Sequence, residues 1–144
     1  MALYVPYPFT LEASREFGAG NHMIDTIGLE PLLVSPDKAE ASMIVLPRHL
    51  APNGYLHAGV VTLFADVTCG MGSFAALPGP EYFITTIDTA TNYFGTARDG
   101  KLVCTATARH IGRRTQVWDA DVRSVEQDKI IAAFRCTQMV MENR

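Results

Sequence analysis

Hydrophobic spacing divides the chain into a mixed head, two strand-like runs, one long apolar helix and four alternating strands. Leu11–Phe17 reads as a short amphipathic helix, stopped by Gly18 and Gly20. Leu29–Val34 and Lys38–Leu46 are strand-like and are separated by Ser35-Pro36-Asp37, residues that favour a turn. Pro47 closes the second strand. From His57 to about Ala76 the sequence is apolar almost all the way round, and a helix without a wet face is buried on most sides. Its length would be about 30 Å, the width of a small domain. Ala58, Gly59, Ala65, Gly70 and Gly72 admit close approach by other backbones, and Leu77-Pro78-Gly79-Pro80 ends the helix.

The remainder has period two. Phe83–Tyr93, Lys101–Ile111, Thr115–Val125 and Lys129–Val140 alternate apolar with polar positions. Arg98-Asp99-Gly100, Gly112 and Glu126-Gln127-Asp128 supply the turns between them. Consecutive strands with short loops predict an antiparallel meander. The pattern predicts an α+β fold, a twisted antiparallel sheet wrapped around a long central helix. It forms a single domain over residues 1–144, with 1–16 as an N-terminal extension or short helix.

Composition narrows the function classes. The chain has 144 residues, 48% of them hydrophobic, which is enough for one cored domain and argues against disorder. A net charge of −3 argues against a nucleic-acid partner. No run of eighteen uninterrupted apolar residues occurs, which argues against a transmembrane helix and a membrane partner. Met1–Phe9 holds two prolines and no basic cluster, so it does not read as a signal peptide. Cys69, Cys104 and Cys136 are far apart, and the four histidines lack ligand spacing, so neither a disulfide framework nor a metal site is expected. A reducing cytoplasm is the expected location.

Asp66 stands out because it interrupts Leu63-Phe64-Ala65 and Val67 in the helix expected to be buried. A desolvated carboxylate is costly and asks for a reason. It is either a structural Asp bonded to an N–H or a Thr, or a catalytic carboxylate kept dry. Asn53-Gly54-Tyr55-Leu56-His57-Ala58-Gly59 leads into the helix start, where unpaired N–H groups can hold an oxyanion or serve as an ordinary cap. Ala58 and Asp66 are eight residues apart, about 12 Å along the axis. One carbonyl cannot reach both, so a site using both would need two subunits.

The stretch from Asn53 to Asp66 resembles the signature of hotdog-fold acyl-CoA thioesterases of the phenylacetic-acid-degradation type, within the 4-hydroxybenzoyl-CoA thioesterase superfamily. Thr85–Tyr93 is similar to that family's Thr-x-Asp strand, His110–Arg114 to its Gly-Arg/Lys turn, and Cys136–Val140 to its closing strand. The resemblance spans about residues 17–141 in order. Ala58 stands where the family has Gly, Ala51 where many members have Asn, and Phe94-Gly95-Thr96-Ala97 where many read Leu-Arg-Pro-Ala.

The resemblance implies a hotdog fold and hydrolysis of acyl-CoA thioesters to free acid and coenzyme A. Asp66 would act as nucleophile or general base, the Ala58 N–H as oxyanion donor, His57 as the frame of that loop and Thr86 as positioner of the carboxylate or water. Asn53 and Gly59 would contact substrate. Arg113 and Arg114 would either meet the coenzyme A phosphates or form a solvated strand-end pair. No cofactor is implied beyond coenzyme A within the substrate. The implied partner is a second copy, in a homodimer or a dimer-of-dimers tetramer with interfacial sites.

Two rivals are a non-catalytic acyl-CoA-binding hotdog protein and a hydratase or dehydratase. The latter would pair His57 with Asp66, which a helix puts on opposite faces. Phe64, Phe74, Phe83, Tyr55, Tyr82 and Tyr93 could line an aryl pocket or simply fill the core.

Overall fold

Local signals start and stop the elements much as expected. The Thr10 hydroxyl accepts from the Ala13 N–H and opens α1 (Leu11–Gly18). A second helix, α2 (Met23–Ile27), was not predicted; Gly28 ends it in the left-handed conformation. The computed structural model describes residues 5–20 and 22–143, so Met1–Tyr4 of the predicted extension lie outside the described residues. Two strands follow, β1 (Glu30–Val34) and β2 (Lys38–Ile44), and Pro47 begins a 3-10 turn. The long helix α3 (Ala58–Ala75) has His57 as its N-cap. Then come β3 (Tyr82–Tyr93), β4 (Lys101–Ile111), β5 (Thr115–Ser124) and β6 (Lys129–Glu142).

All six strands form one antiparallel sheet in the order β1-β2-β4-β5-β6-β3. The expected meander therefore holds only for β4, β5 and β6. After α3 crosses the sheet, β3 is laid down at the far edge beside β6, and β4 returns to pair with β2. A β-bulge at Ile87 also breaks the alternation of β3. Before it Thr86 faces α3. Beyond it Thr91 and Tyr93 share that face and bond to Thr62 of the helix.

Leu102, Cys104 and Ala106 of β4, Trp118 and Val122 of β5, and Cys136 of β6 form the floor on which Phe64, Ala65 and Cys69 of α3 are buried. The helix is less enclosed than its sequence suggests. The sheet covers one side, while Leu63, Val67 and Gly70 stay half-buried and Ala58 and Gly59 are exposed. The expectation against a membrane-competent helix also needs correction. With a mean hydropathy of 1.4 over 18 residues, α3 is long and apolar enough to cross a membrane by length and composition. Here it packs on a sheet as a core helix.

Gly72 sets the helix-to-sheet spacing. A Cβ there would overlap the Trp118 ring, whose Nε1 donates to Gln116 Oε1 at 3.0 Å. That oxygen also accepts from the Ser73 hydroxyl at 2.6 Å, so neither ring nor helix can yield freely. Gly72→Ala should therefore destabilise by about 1–2 kcal/mol, overpacking outweighing the gain in helix propensity. Urea unfolding checks this, and an unchanged or higher midpoint would refute it.

Candidate active site

Asp66 projects from the middle of α3 into a cleft of about 230 Å³. Phe9, Phe17, Phe74, Ile24, Ile84 and Met71 supply its apolar walls, and Thr86 and Gln138 its polar end. Phe9 and Phe17 come from the N-terminal segment; Phe9 packs on Phe74 with ring centroids 5.5 Å apart, and Phe17 stacks on His22. Burial pushes the Asp66 carboxyl above the ordinary carboxylate value, opposed by a hydrogen bond from Thr86. Thr86 Oγ1 lies 3.2 Å from Asp66 Oδ1 and 3.0 Å from Gln138 Oε1 but carries one proton. Both contacts are satisfied when the Gln138 amide turns its nitrogen toward Thr86 and its oxygen toward the Cys136 thiol. The Thr86 proton is then free for the carboxylate. The Thr-bonded structural Asp foreseen from sequence is thus present in geometry, and it opens on a cavity.

The start of α3 lies in a different cleft, of about 370 Å³, with Asn53, Tyr55, Ala58, Tyr93, Gly95 and Thr96 in its walls. His57 Nδ1 accepts from the Gly59 N–H at 2.9 Å, which occupies that donor. The His57 N–H is held by the His49 carbonyl. Among the described residues the Ala58 N–H has no acceptor, so it is the available donor at the positive end of the helix. Asn53 Oδ1 caps the Tyr55 N–H rather than pointing an unused amide oxygen at the cleft.

Tyr93, expected from sequence only as an aryl-pocket or core residue, has a polar role at the helix start. Its hydroxyl lies 2.6 Å from Thr62 Oγ1 and donates to the Ala58 carbonyl at 3.1 Å, tying β3 to the first helical turn. The bulge that brings it there left no signature in the alternation. Of the aromatic candidates, Phe64 is core, Phe74 lines the Asp66 cleft, and Tyr55 and Tyr93 line the Ala58 cleft.

The profile of the family described as the thioesterase superfamily matches residues 53–131, more than half of the chain and the stretch holding both clefts' α3 residues. The chain belongs to the thioesterase superfamily. It is 31% identical to a 1,4-dihydroxy-2-naphthoyl-CoA hydrolase of Listeria monocytogenes, over 83% of this chain and 96% of that protein. The hydrolase of the same name from Escherichia coli is 26% identical over 92% and 95%. The crystal structure of a thioesterase from Haemophilus influenzae superposes with a TM-score of 0.85 at 29% identity, covering 97% and 95% of the two chains. The architecture is the hotdog fold.

In this thioesterase-superfamily chain, Asp66 and Thr86 come together, as do Asn53 and Ala58, but the two groups occupy separate clefts within a protomer. His57 and Gly59 stay at the helix start, bonded to each other and exposed. Arg113 and Arg114 sit exposed in the β4–β5 turn, at the opposite end of β5 from the Ala58 cleft.

The direction of the Asp66 shift fixes its effect on stability. The folded protein holds this proton more tightly than the unfolded chain, so ionising Asp66 subtracts stability. The penalty is absent below the ordinary carboxylate value, grows through the raised one and is complete above it. Asp66→Asn should therefore melt higher than the parent at neutral pH, and the gap should close on acidification. Thermal melts across pH measure this, and a variant less stable at pH 7 would contradict it.

Proposed function

We propose that this protein hydrolyses acyl-CoA thioesters to a free acid and coenzyme A. The observation that carries this reading is the half-buried Asp66 carboxylate, bonded to Thr86 at the polar end of a phenylalanine-lined cleft. The thioester oxygen would accept from the Ala58 N–H, which stabilises the charge that develops there. Asp66 would take a proton from the attacking water, or itself attack the carbonyl and be released by water. The coenzyme A thiolate leaves in either route. Three phenylalanines beside Asp66, and relatives named for a naphthoyl thioester, support an aryl acyl group. The resemblance to the phenylacetic-acid-degradation type points the same way. Three cysteines that are all free support a cytoplasmic setting.

The reading requires two copies of the chain. Asp66 and Ala58 lie about 12 Å apart along one helix, so one carbonyl meets both only across an interface. The edge strand β3 offers that interface: among the described residues its twelve positions pair only with β6, leaving a row of unpaired backbone groups on its outer side. Pairing of two β3 edges about a two-fold axis would bring Asp66 of one subunit toward Ala58 of the other, and two such dimers could form a tetramer.

Coenzyme A release from aryl, short, medium and long acyl-CoAs tests the reaction. Asp66→Asn should lose at least about 100-fold in kcat while remaining folded. Binding of acyl-CoA by the parent without release would favour the non-catalytic binding module instead. In the parent, activity should rise with pH along a limb above the ordinary carboxylate range. Thr86→Val removes the bond that lowers the Asp66 pKa, so it should move that limb to higher pH.

Sharing of the site has its own test. Ala58 is the first helical residue, where proline is well tolerated, so Ala58→Pro deletes the N–H with little harm to the helix. Ala58→Pro and Asp66→Asn should each be inactive alone. Refolded together in equal amounts, they should recover about one quarter of parental activity, because half the dimers carry one intact site. No recovery would place both groups in one subunit's site.

A further inference from the structure

Behind the Ala58 cleft lies a second, larger one of about 540 Å³, lined by Tyr55, Gly95, Thr96, Arg98, Gln127 and Lys129 together with Ala97 and Asp99. The two clefts share Tyr55, Gly95 and Thr96, so they form one continuous groove leading away from the Ala58 N–H. Two cations border its outer part. The Arg98 guanidinium lies over the Tyr55 ring, 4.2 Å from its centroid, and is held there by the ring face. Lys129 reaches in from the start of β6. A Cβ on Gly95 would be 3.5 Å from its Cε and 3.7 Å from its Nζ, so the lysine tip lies alongside the bare Gly95 backbone at van der Waals range.

Neither cation has a carboxylate within salt-bridge distance among the described residues, a condition they share with Arg48, Lys101, Arg113 and Arg114; what sets these two apart is that they border one groove running to the Ala58 N–H. Asp99 is the one carboxylate in the cleft, leaving an excess of one positive charge on a chain whose net charge is −3. Gln127 fixes the wall by donating from Nε2 to the Thr96 carbonyl at 2.8 Å.

We infer that Arg98 and Lys129 form the binding site for the phosphate groups of the thioester's carrier, with the pantetheine arm running past Tyr55, Gly95 and Thr96 to the Ala58 N–H. The inference rests on the proposed thioesterase reading and adds to it which residues grip coenzyme A. It assigns that grip to the β3–β4 and β5–β6 connections rather than to Arg113 and Arg114, which lie at the other end of β5. A guanidinium prepositioned on an aromatic ring and an exposed ammonium suit a diphosphate and a phosphate monoester, which are bound by charge-assisted hydrogen bonds.

The test compares the Arg98→Gln/Lys129→Gln double variant with the parent on two substrates carrying the same acyl group. One is the coenzyme A thioester; the other is the N-acetylcysteamine thioester, which keeps the reacting bond and lacks every phosphate. The double variant should raise KM for the coenzyme A substrate about tenfold or more. Its kcat on that substrate and its kcat/KM on the truncated one should be unchanged, because the two side chains act only on binding. The parental KM for the coenzyme A thioester should also rise with ionic strength, while that for the truncated thioester should not. An unchanged KM for the coenzyme A thioester would overturn this assignment and leave the thioesterase reading standing. If the parent hydrolyses neither substrate, the thioesterase reading fails. Calorimetric titration with coenzyme A then decides the phosphate site: about tenfold weaker binding by the double variant supports it, and equal binding overturns it.

Discussion

The contact between the Trp118 indole and the bare backbone of Gly72 is the constraint on which the rest of this structure depends. It fixes how closely α3 lies on the sheet, and the Ser73–Gln116–Trp118 hydrogen bonds fix the rotation and height of the helix there. With the helix so held, Asp66 meets Thr86 across the gap to β3, and Thr62 meets Thr91 and Tyr93 two turns of strand further on. A shift of the helix by a fraction of a residue would separate all these short side chains at once. Serine, threonine and glycine leave no slack to absorb it.

The same packing produces the division of labour along α3. Its middle is apolar on the sheet side and carries one carboxylate on the other. Its first turn is exposed and offers a backbone donor. One helix therefore supplies two chemically opposite features, a group that holds negative charge and a dipole end that attracts it, about two turns apart. Their separation follows from helical geometry and cannot be closed by rearranging side chains. In the proposed reaction, assembly of two copies is the route that would bring them to one carbonyl, and the long edge of β3 is the surface proposed for it.

How far the sequence revealed this differs from residue to residue. The limits of α3 were legible because its apolar run is long and bounded by His57 and by prolines, and β4 was legible because Leu102, Cys104 and Ala106 alternate cleanly. Asp66 was legible as a polar residue in the wrong company. The position of β3 was not, since strand order depends on which edge is free when the chain emerges from α3. Nor was the shared face of Thr86 and Tyr93. Those residues differ by an odd number of positions, and only the bulge at Ile87 reconciles them. Phe9 and Phe17 escaped notice for another reason: they reach the Asp66 cleft from a segment whose own pattern is too short to say what it packs against. The pairing of Arg98 with Tyr55 bridges two loops, and no local spacing encodes it.

The three cysteines sit in the core close to α3, and all are fully buried. Burial pushes the Cys104 thiol up to about 12, and Cys69, facing Cys136, is raised as well. In a protein whose proposed reaction liberates a thiol, this burial has a chemical benefit. Thiolates near an activated acyl group would intercept it by thioester exchange and hold it as a dead-end adduct, and oxidised coenzyme A would cap them as mixed disulfides. Sealed away from solvent in the core, the three sulfur atoms take no part in either traffic. They serve as ordinary apolar filling, and water is left as the acceptor of the acyl group.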